Sequence, residues 1–349
     1  MRFFNCGKKL SEVCQGRDNN LNIIRFIAAM LVIYSHSFPF TYGSEHGDWL
    51  AKLTNGQINL GGVAVSVFFF YGGFLICKSL DRLQNGKKFF IARIKRIFPP
   101  LIFVVIVSAF VLGPILTTLS LKDYFTSLGT YKYLLNGLLL PVHDLPGVFE
   151  NNVYGAAVNG SLWTLPIEFV CYIFCYLFWK IGFLNKKRAK YTLPVAVVFL
   201  TVASLVLARF SPLLAESLRP MMLFYLGMMV YIYREYIPVN GLLTLVMSIV
   251  FVLGMFTPFV NVFIYIAFTY MLLYVGYGMK YKLSGFGKNL EISYGMYLCG
   301  APIQQILVYV FGNNMSQLAN ASIAIVLSMI SGAIICIAIE KPLQKIKKS

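Results

Sequence analysis

One stretch constrains this chain more than any other. Leu21–Phe40, LNIIRFIAAMLVIYSHSFPF, is apolar and, at about 20 residues, long enough to cross a bilayer as a helix, yet it carries Arg25 and His36. Helix geometry sets the two about 20° apart in angle and roughly 16 Å apart along the axis. One face therefore presents a cation near one membrane surface and an imidazole near the other. An ionisable group in a membrane helix is costly and by default faces a protein interior or a wet cavity. Arg25 alone is close enough to the helix end to snorkel to the headgroups, and His36 alone could be a hydrogen-bonded packing residue. Their shared face favours a site.

Composition decides the class. The chain is 58% hydrophobic and 12% charged, with a mean hydropathy of +0.72, whereas a soluble domain carries roughly 25% charge. The reading is an all-α polytopic membrane helical bundle. A net charge of +17 would suit nucleic acid, but the basic residues fall in short clusters between apolar spans, which is the positive-inside pattern. No nucleic-acid partner is expected; membrane lipids are.

About ten transmembrane helices are expected, near 21–41, 58–79, 97–119, 160–181, 191–209, 218–233, 240–256, 258–278, 290–311 and 318–339. Of the 30 Lys/Arg, 24 fall in one set of alternate segments, five in the other, and Arg25 lies within a span. That asymmetry puts both termini in the cytoplasm, Arg25 near the cytoplasmic face and His36 near the outer one. The expected organisation is a cytoplasmic segment at 1–20, one membrane domain at 21–340 and a basic cytoplasmic tail at 341–349. The longest connection, about Ser120–Asn159, is outside. Its apolar stretch Tyr131–Pro141 is too short to span and is expected to lie in the interface or re-enter. Residues 1–20 are polar and no small-x-small cleavage site follows the first apolar run.

The seven cysteines form no framework. Cys6 and Cys14 are cytoplasmic, where thiols stay reduced, and the rest behave as small apolar residues within spans. Cys171 and Cys175 share a helix face without a His or a second Cys pair nearby, so no metal is expected.

Five further stretches carry chemistry. Gly72-Gly73 in the second span permits close backbone approach by another helix or by a ligand. Arg93 and Arg96, just before Pro99-Pro100, share a face if the third helix starts early; two planar guanidiniums make a phosphate clamp, although positive-inside anchoring explains them as well. Asn159-Gly-Ser-Leu-Trp-Thr-Leu-Pro-Ile-Glu168 opens the fourth span. It puts Glu168 about two turns deep, at a depth compatible with His36, with Pro166 expected to kink the helix. Ile292-Ser-Tyr-Gly-Met-Tyr-Leu298 opens the ninth, and Glu340 closes the tenth, where pairing with a neighbouring Lys or Arg is expected.

In chain order, Arg25-x10-His36, Phe68-Phe69-x-x-Gly72-Gly73, Arg93-x-x-Arg96, Trp163-x-Leu165-x-x-Glu168, Ser293-Tyr294-x-x-Tyr297-Leu298 and Glu340-x-Pro342 resemble the acyltransferase-3 family of integral membrane acyltransferases. The resemblance covers nearly the whole chain. It implies an O-acyltransferase of the bacterial cytoplasmic membrane. Such an enzyme moves an acetyl or short acyl group from acyl-CoA, usually acetyl-CoA, to a hydroxyl of a cell-surface or lipid-linked glycan such as O-antigen, capsule or exopolysaccharide. The basic pair then belongs with the donor and His36 with catalysis. Two departures stand out: Gly72 replaces the family's serine, and Gly300 stands where many members have a histidine. Some members carry a soluble transferase domain after the last span. With the sequence ending at Ser349, the membrane domain is expected to complete the transfer itself or hand the acyl group to another protein.

The residues suit that chemistry. Acyl transfer to a hydroxyl needs a base, and an imidazole serves. Glu168, on approaching His36, would orient the ring and stabilise the imidazolium as in a triad. No Ser, Cys or Thr is marked as a nucleophile, which favours direct transfer. A donor entering from the cytoplasm must pass its arm along the first-span face, where Arg25 would meet it or polarise the thioester carbonyl. The same intramembrane Arg, His and Glu would also suit a proton-coupled secondary transporter, and a polymerase or ligase of lipid-linked glycan would share the location.

Overall fold

The computed structural model describes residues 7–44, 47–207, 209–210, 212–312 and 314–345. Residues 1–6 of the N-terminal segment and 346–349 of the basic tail lie outside them. Principal helices occupy the ten expected places: α1 Leu21–Tyr42, α2 Leu60–Leu83, α3 Gly86–Val107, α4 Thr164–Lys180, α5 Lys186–Leu207, α6 Pro212–Ile232, α7 Gly241–Gly254, α8 in consecutive pieces over Val260–Gly278, α9 Ser293–Phe311 and α10 Gln317–Ile335. Among the described residues six helices are long and apolar enough to cross a membrane, and Ser217–Ile232 and Gly241–Gly254 are shorter apolar stretches. The strands described are two-residue pieces, β1 Lys8–Lys9 and β2 Pro238–Val239, paired antiparallel. The protein is an all-α membrane bundle.

The third helix departs from expectation. It begins at Gly86, not near 97, because Asn85 caps it by accepting from the Lys88 amide at 2.9 Å. The helix then runs through Pro99 and Pro100, so prolines that read as a boundary lie inside it. Arg93 and Arg96 are therefore helical residues on α3. Pro166 is the third residue of α4, which continues directly from a 3₁₀ turn over Gly160–Trp163.

Segments that the charge count sorts to one face touch one another. On the basic face Lys78 Nζ donates to Cys14 O at 2.6 Å, Leu10 N to Ile237 O at 2.9 Å, and Lys282 pairs with Asp18 at 3.2 Å. On the opposite face Gln57 Nε2 donates to Thr257 O at 3.0 Å and Asn152 Nδ2 to Gln305 Oε1 at 2.8 Å. The stretch Tyr131–Pro141 does not cross; its 3₁₀ turn Tyr133–Leu138 packs on α3.

Two features hold α1 in place. At its outer end the buried Asp48 carboxylate accepts from Ser35 Oγ and from Leu60 N, each at 2.9 Å, tying α1 to the start of α2. Behind it, Gln304 of α9 donates to Ile33 O at 2.8 Å and to Asn320 Oδ1 of α10 at 3.0 Å. Buried amides in such a network fix one helix register, because each unmade bond costs about 1–3 kcal/mol. α2 lies between α1 and α6. A Cβ at Gly73 would sit 1.8 Å from Phe224 O, and one at Gly227 2.1 Å from Phe70 O, so backbones touch where these glycines face each other.

Candidate active site

α1 delivers both of its ionisable residues inward, but to different neighbours. Near the basic face Arg25 Nη1 stands 3.6 Å from Glu291 Oε2, and Arg96 Nη2 reaches the same oxygen at 3.4 Å. The other Glu291 oxygen accepts from the Ser293 amide at 3.2 Å and from the Ser293 hydroxyl. One carboxylate thus joins the first, third and ninth helices. Arg93, one turn before Arg96, has its Nε buried without a hydrogen-bond partner among the described residues.

These arginines open on a cavity of about 120 Å³ bounded by α1, α2, α3, α4, α6 and α9. Arg25, Arg93, Arg96 and Glu168 all line it, with Gly72 and Tyr172. The two expected roles for Gly72-Gly73 separate here: Gly73 serves helix packing, while Gly72, whose added Cβ would meet only the Phe224 ring at 3.6 Å, faces the cavity. Glu168 accepts a hydrogen bond from Tyr172, one turn on along α4.

At the far end the cavity reaches Thr164 and Tyr297. Tyr297 donates to Ser161 O, and Thr164 Oγ1 lies 2.6 Å from the Tyr297 hydroxyl. Ser161 Oγ is 3.5 Å from His36 Nδ1. His36 is half-buried, with its ring against Phe40 at 6.2 Å between centroids.

Four of the five residues singled out by sequence therefore converge on one cavity. His36 stands beyond its Thr164–Tyr297 end, connected through Ser161. The expected approach of Glu168 to His36 is not found: each takes a different partner. Seven residues of helix and 3₁₀ turn, about 10–14 Å of rise, separate Ser161 from Glu168, so Ser161 is level with His36 and Glu168 lies deeper. Glu340 likewise departs from its expected ion pair; its Oε1 is buried without a hydrogen-bond partner among the described residues. At Gly300 an added Cβ would meet Ile33 Cγ1 at 2.9 Å, so α1 fills the space where many relatives place an imidazole.

Sequence reasoning passed over Glu291, Ser161, Thr164 and Tyr172. Glu291 had a signal: it is one of 13 acidic residues, set at the cytoplasmic opening of a span two residues before Ser293. Tyr172 had one too, four residues after Glu168 on the same helix face.

The acyltransferase-3 family, described as an acyltransferase domain, matches residues 18–341. The chain belongs to that family. It is 30% identical over 194 residues to an O-acetyl transferase of Shigella phage Sf6, covering 54% of this chain and 52% of that protein. Nodulation protein 10 of Rhizobium leguminosarum bv. viciae is 28% identical over 173 residues, 47% of this chain and 44% of that protein. The chain thus spans about half the length of these curated relatives. No solved structure matches it.

Proposed function

We propose that this protein is a membrane O-acyltransferase that moves an acetyl group from acetyl-CoA to a hydroxyl of a cell-surface or lipid-linked glycan, with His36 as general base. The observation that carries the reading is the single cavity running from the Arg25–Arg93–Arg96 cluster to Thr164 and Tyr297, beside the Ser161 that meets His36. A cavity of about 120 Å³ is below the ~300–1,000 Å³ of sites that enclose drug-sized ligands. It has room for the acyl-thioester end of the donor's arm, with the rest of the arm, the nucleotide and its phosphates left toward the arginine end. Arg93 lines this cavity, its Nε has no hydrogen-bond partner among the described residues, and its guanidinium is a group of the kind phosphate oxygens take.

The step is a direct transfer. The acceptor hydroxyl gives its proton to His36 as its oxygen attacks the thioester carbonyl, the C–S bond breaks, and the departing thiolate takes the proton from the imidazolium. Ser161, as acceptor for an Nδ1–H, leaves Nε2 as the basic nitrogen. Glu168, held by Tyr172, offsets the arginine charge inside the cavity rather than orienting the imidazole.

The test is deletion of the gene followed by complementation with the wild type or His36→Ala, reading O-acetyl signals of the surface polysaccharides by NMR. Acetyl signals lost on deletion and restored only by the wild type are expected. Unchanged acetyl content in the deletion would overturn the reading.

A further inference from the structure

We propose that Tyr154, on the outer loop that ends at Ser161, is the sugar-stacking residue of the acceptor site, taking one pyranose ring of the glycan and presenting its hydroxyl to His36. The inference rests on the acyltransfer reading and adds the acceptor side, which the arginine cavity does not supply.

Three observations converge on this tyrosine. First, its ring lies on Phe40 at 4.6 Å between centroids, and Phe40 in turn lies against His36 at 6.2 Å, so the rings form a continuous path from outer surface to imidazole. Phe40 is 3% exposed and Tyr154 40%, which leaves Tyr154 as the ring of the series that a ligand can cover. Second, a Cβ built at Gly160 would sit 3.4 Å from the Tyr154 hydroxyl, and Gly160 immediately precedes Ser161. The hydroxyl is thus turned onto the site-forming turn, not out to headgroups as in an interfacial anchor. Third, the loop is held in shape. Val158 N donates to His143 O at 2.7 Å, and Asp144 bridges Ala157. The buried Gln305 of α9 donates to Gly155 O at 2.9 Å and Ala157 O at 2.8 Å. A preformed platform loses little entropy on binding.

The chemistry of the platform selects a carbohydrate. An aromatic face carries negative quadrupole potential, and the C–H bonds on one face of a pyranose present a matching positive surface, while its hydroxyls remain free at the edges.

The experiment uses full-length protein in liposomes, acetyl-CoA, and the unacetylated surface polysaccharide isolated from cells lacking the gene. Wild type, Tyr154→Leu, Tyr154→Phe and Tyr154→Trp are compared at matched protein amount. Leucine keeps apolar bulk against Phe40 but has no aromatic face. The expected result is an acceptor KM raised about tenfold in Tyr154→Leu with the donor KM unmoved, and rescue by Phe and Trp. Wild-type behaviour of the leucine variant would overturn the site. So would equal shifts in donor and acceptor KM, or failure of Phe to rescue, since these mark a packing or hydroxyl role. If the wild type itself transfers nothing to this polysaccharide, the acyltransfer reading fails, and the site falls with it.

Discussion

Ser161 Oγ stands 3.5 Å from Nδ1 of His36, joining the 3₁₀ turn ahead of α4 to the first helix at the outer end of the bundle. Sequence pattern alone pairs His36 with Glu168, and the consequences for mutagenesis differ. On the proposed general-base role, replacing His36 with Ala removes the proton acceptor, so transfer should fall about 10²–10⁴-fold while the protein still inserts. Ser161→Ala removes one hydrogen bond of ~0.5–1.5 kcal/mol and should cost about two- to tenfold. Acetyl incorporation by membranes with matched protein content checks both. Equal inactivity of the two variants would mean that Ser161 does more than orient the ring, and an active His36→Ala protein would remove the base assignment.

The two ion pairs of Glu291 should not contribute equally. Arg25 is 18% exposed and Arg96 42% exposed, and solvent screens the more exposed pair. A double-mutant cycle between Arg25→Gln and Glu291→Gln, read by thermal unfolding in detergent, should give a coupling of about 1–3 kcal/mol. The corresponding cycle with Arg96→Gln should stay below ~1 kcal/mol. A larger coupling for Arg96 would show that the Arg25 contact is incidental.

Adjacent glycines make a sharper contrast. A Cβ at Gly73 meets the Phe224 carbonyl oxygen at 1.8 Å, whereas one at Gly72 meets only the edge of the Phe224 ring at 3.6 Å. A backbone carbonyl cannot rotate aside, so Gly73→Ala must separate α2 from α6 and should destabilise by at least ~1–3 kcal/mol. Gly72→Ser, which restores the family's residue, should accumulate in the membrane as the wild type does. Equal accumulation of the two variants would contradict the α2–α6 packing.

Why the sequence carried the helices and the arginine cluster but not the pairings follows from what each depends on. Span positions rest on apolar runs, and orientation rests on counting Lys and Arg, both of which are local. Convergence of Arg25, Arg93 and Arg96 was legible because each lies near the same membrane surface. The His36 partner was not, because it depends on where α4 begins, and the 3₁₀ turn at Gly160–Trp163 carries Ser161 rather than Glu168 to that level. Glu291 was missed because its role comes from two helices distant in sequence closing on one loop residue. The start of α3 was misplaced because Pro99-Pro100 is a stronger textual signal than a single capping Asn85, though the cap prevails.

Arg93 and Arg96 allow phosphate binding to be separated from topology. Lysine preserves the positive-inside signal, because orientation depends on Lys/Arg count rather than on guanidinium shape. It does not reproduce the planar two-pronged grip on phosphate oxygens. Arg93→Lys/Arg96→Lys should therefore insert with unchanged topology and show a raised KM for acetyl-CoA, with acceptor dependence much less affected. Loss of one or two charge-assisted contacts at ~1.5–3 kcal/mol each amounts to at least about tenfold. The single variants should differ. Arg96 is already engaged by Glu291 at 3.4 Å, whereas Arg93 Nε has no hydrogen-bond partner among the described residues. Arg93→Lys should account for most of the effect. Donor dependence unchanged in the double lysine variant, with misinsertion only on neutral replacement, would make both arginines membrane anchors and move the donor site toward Arg25.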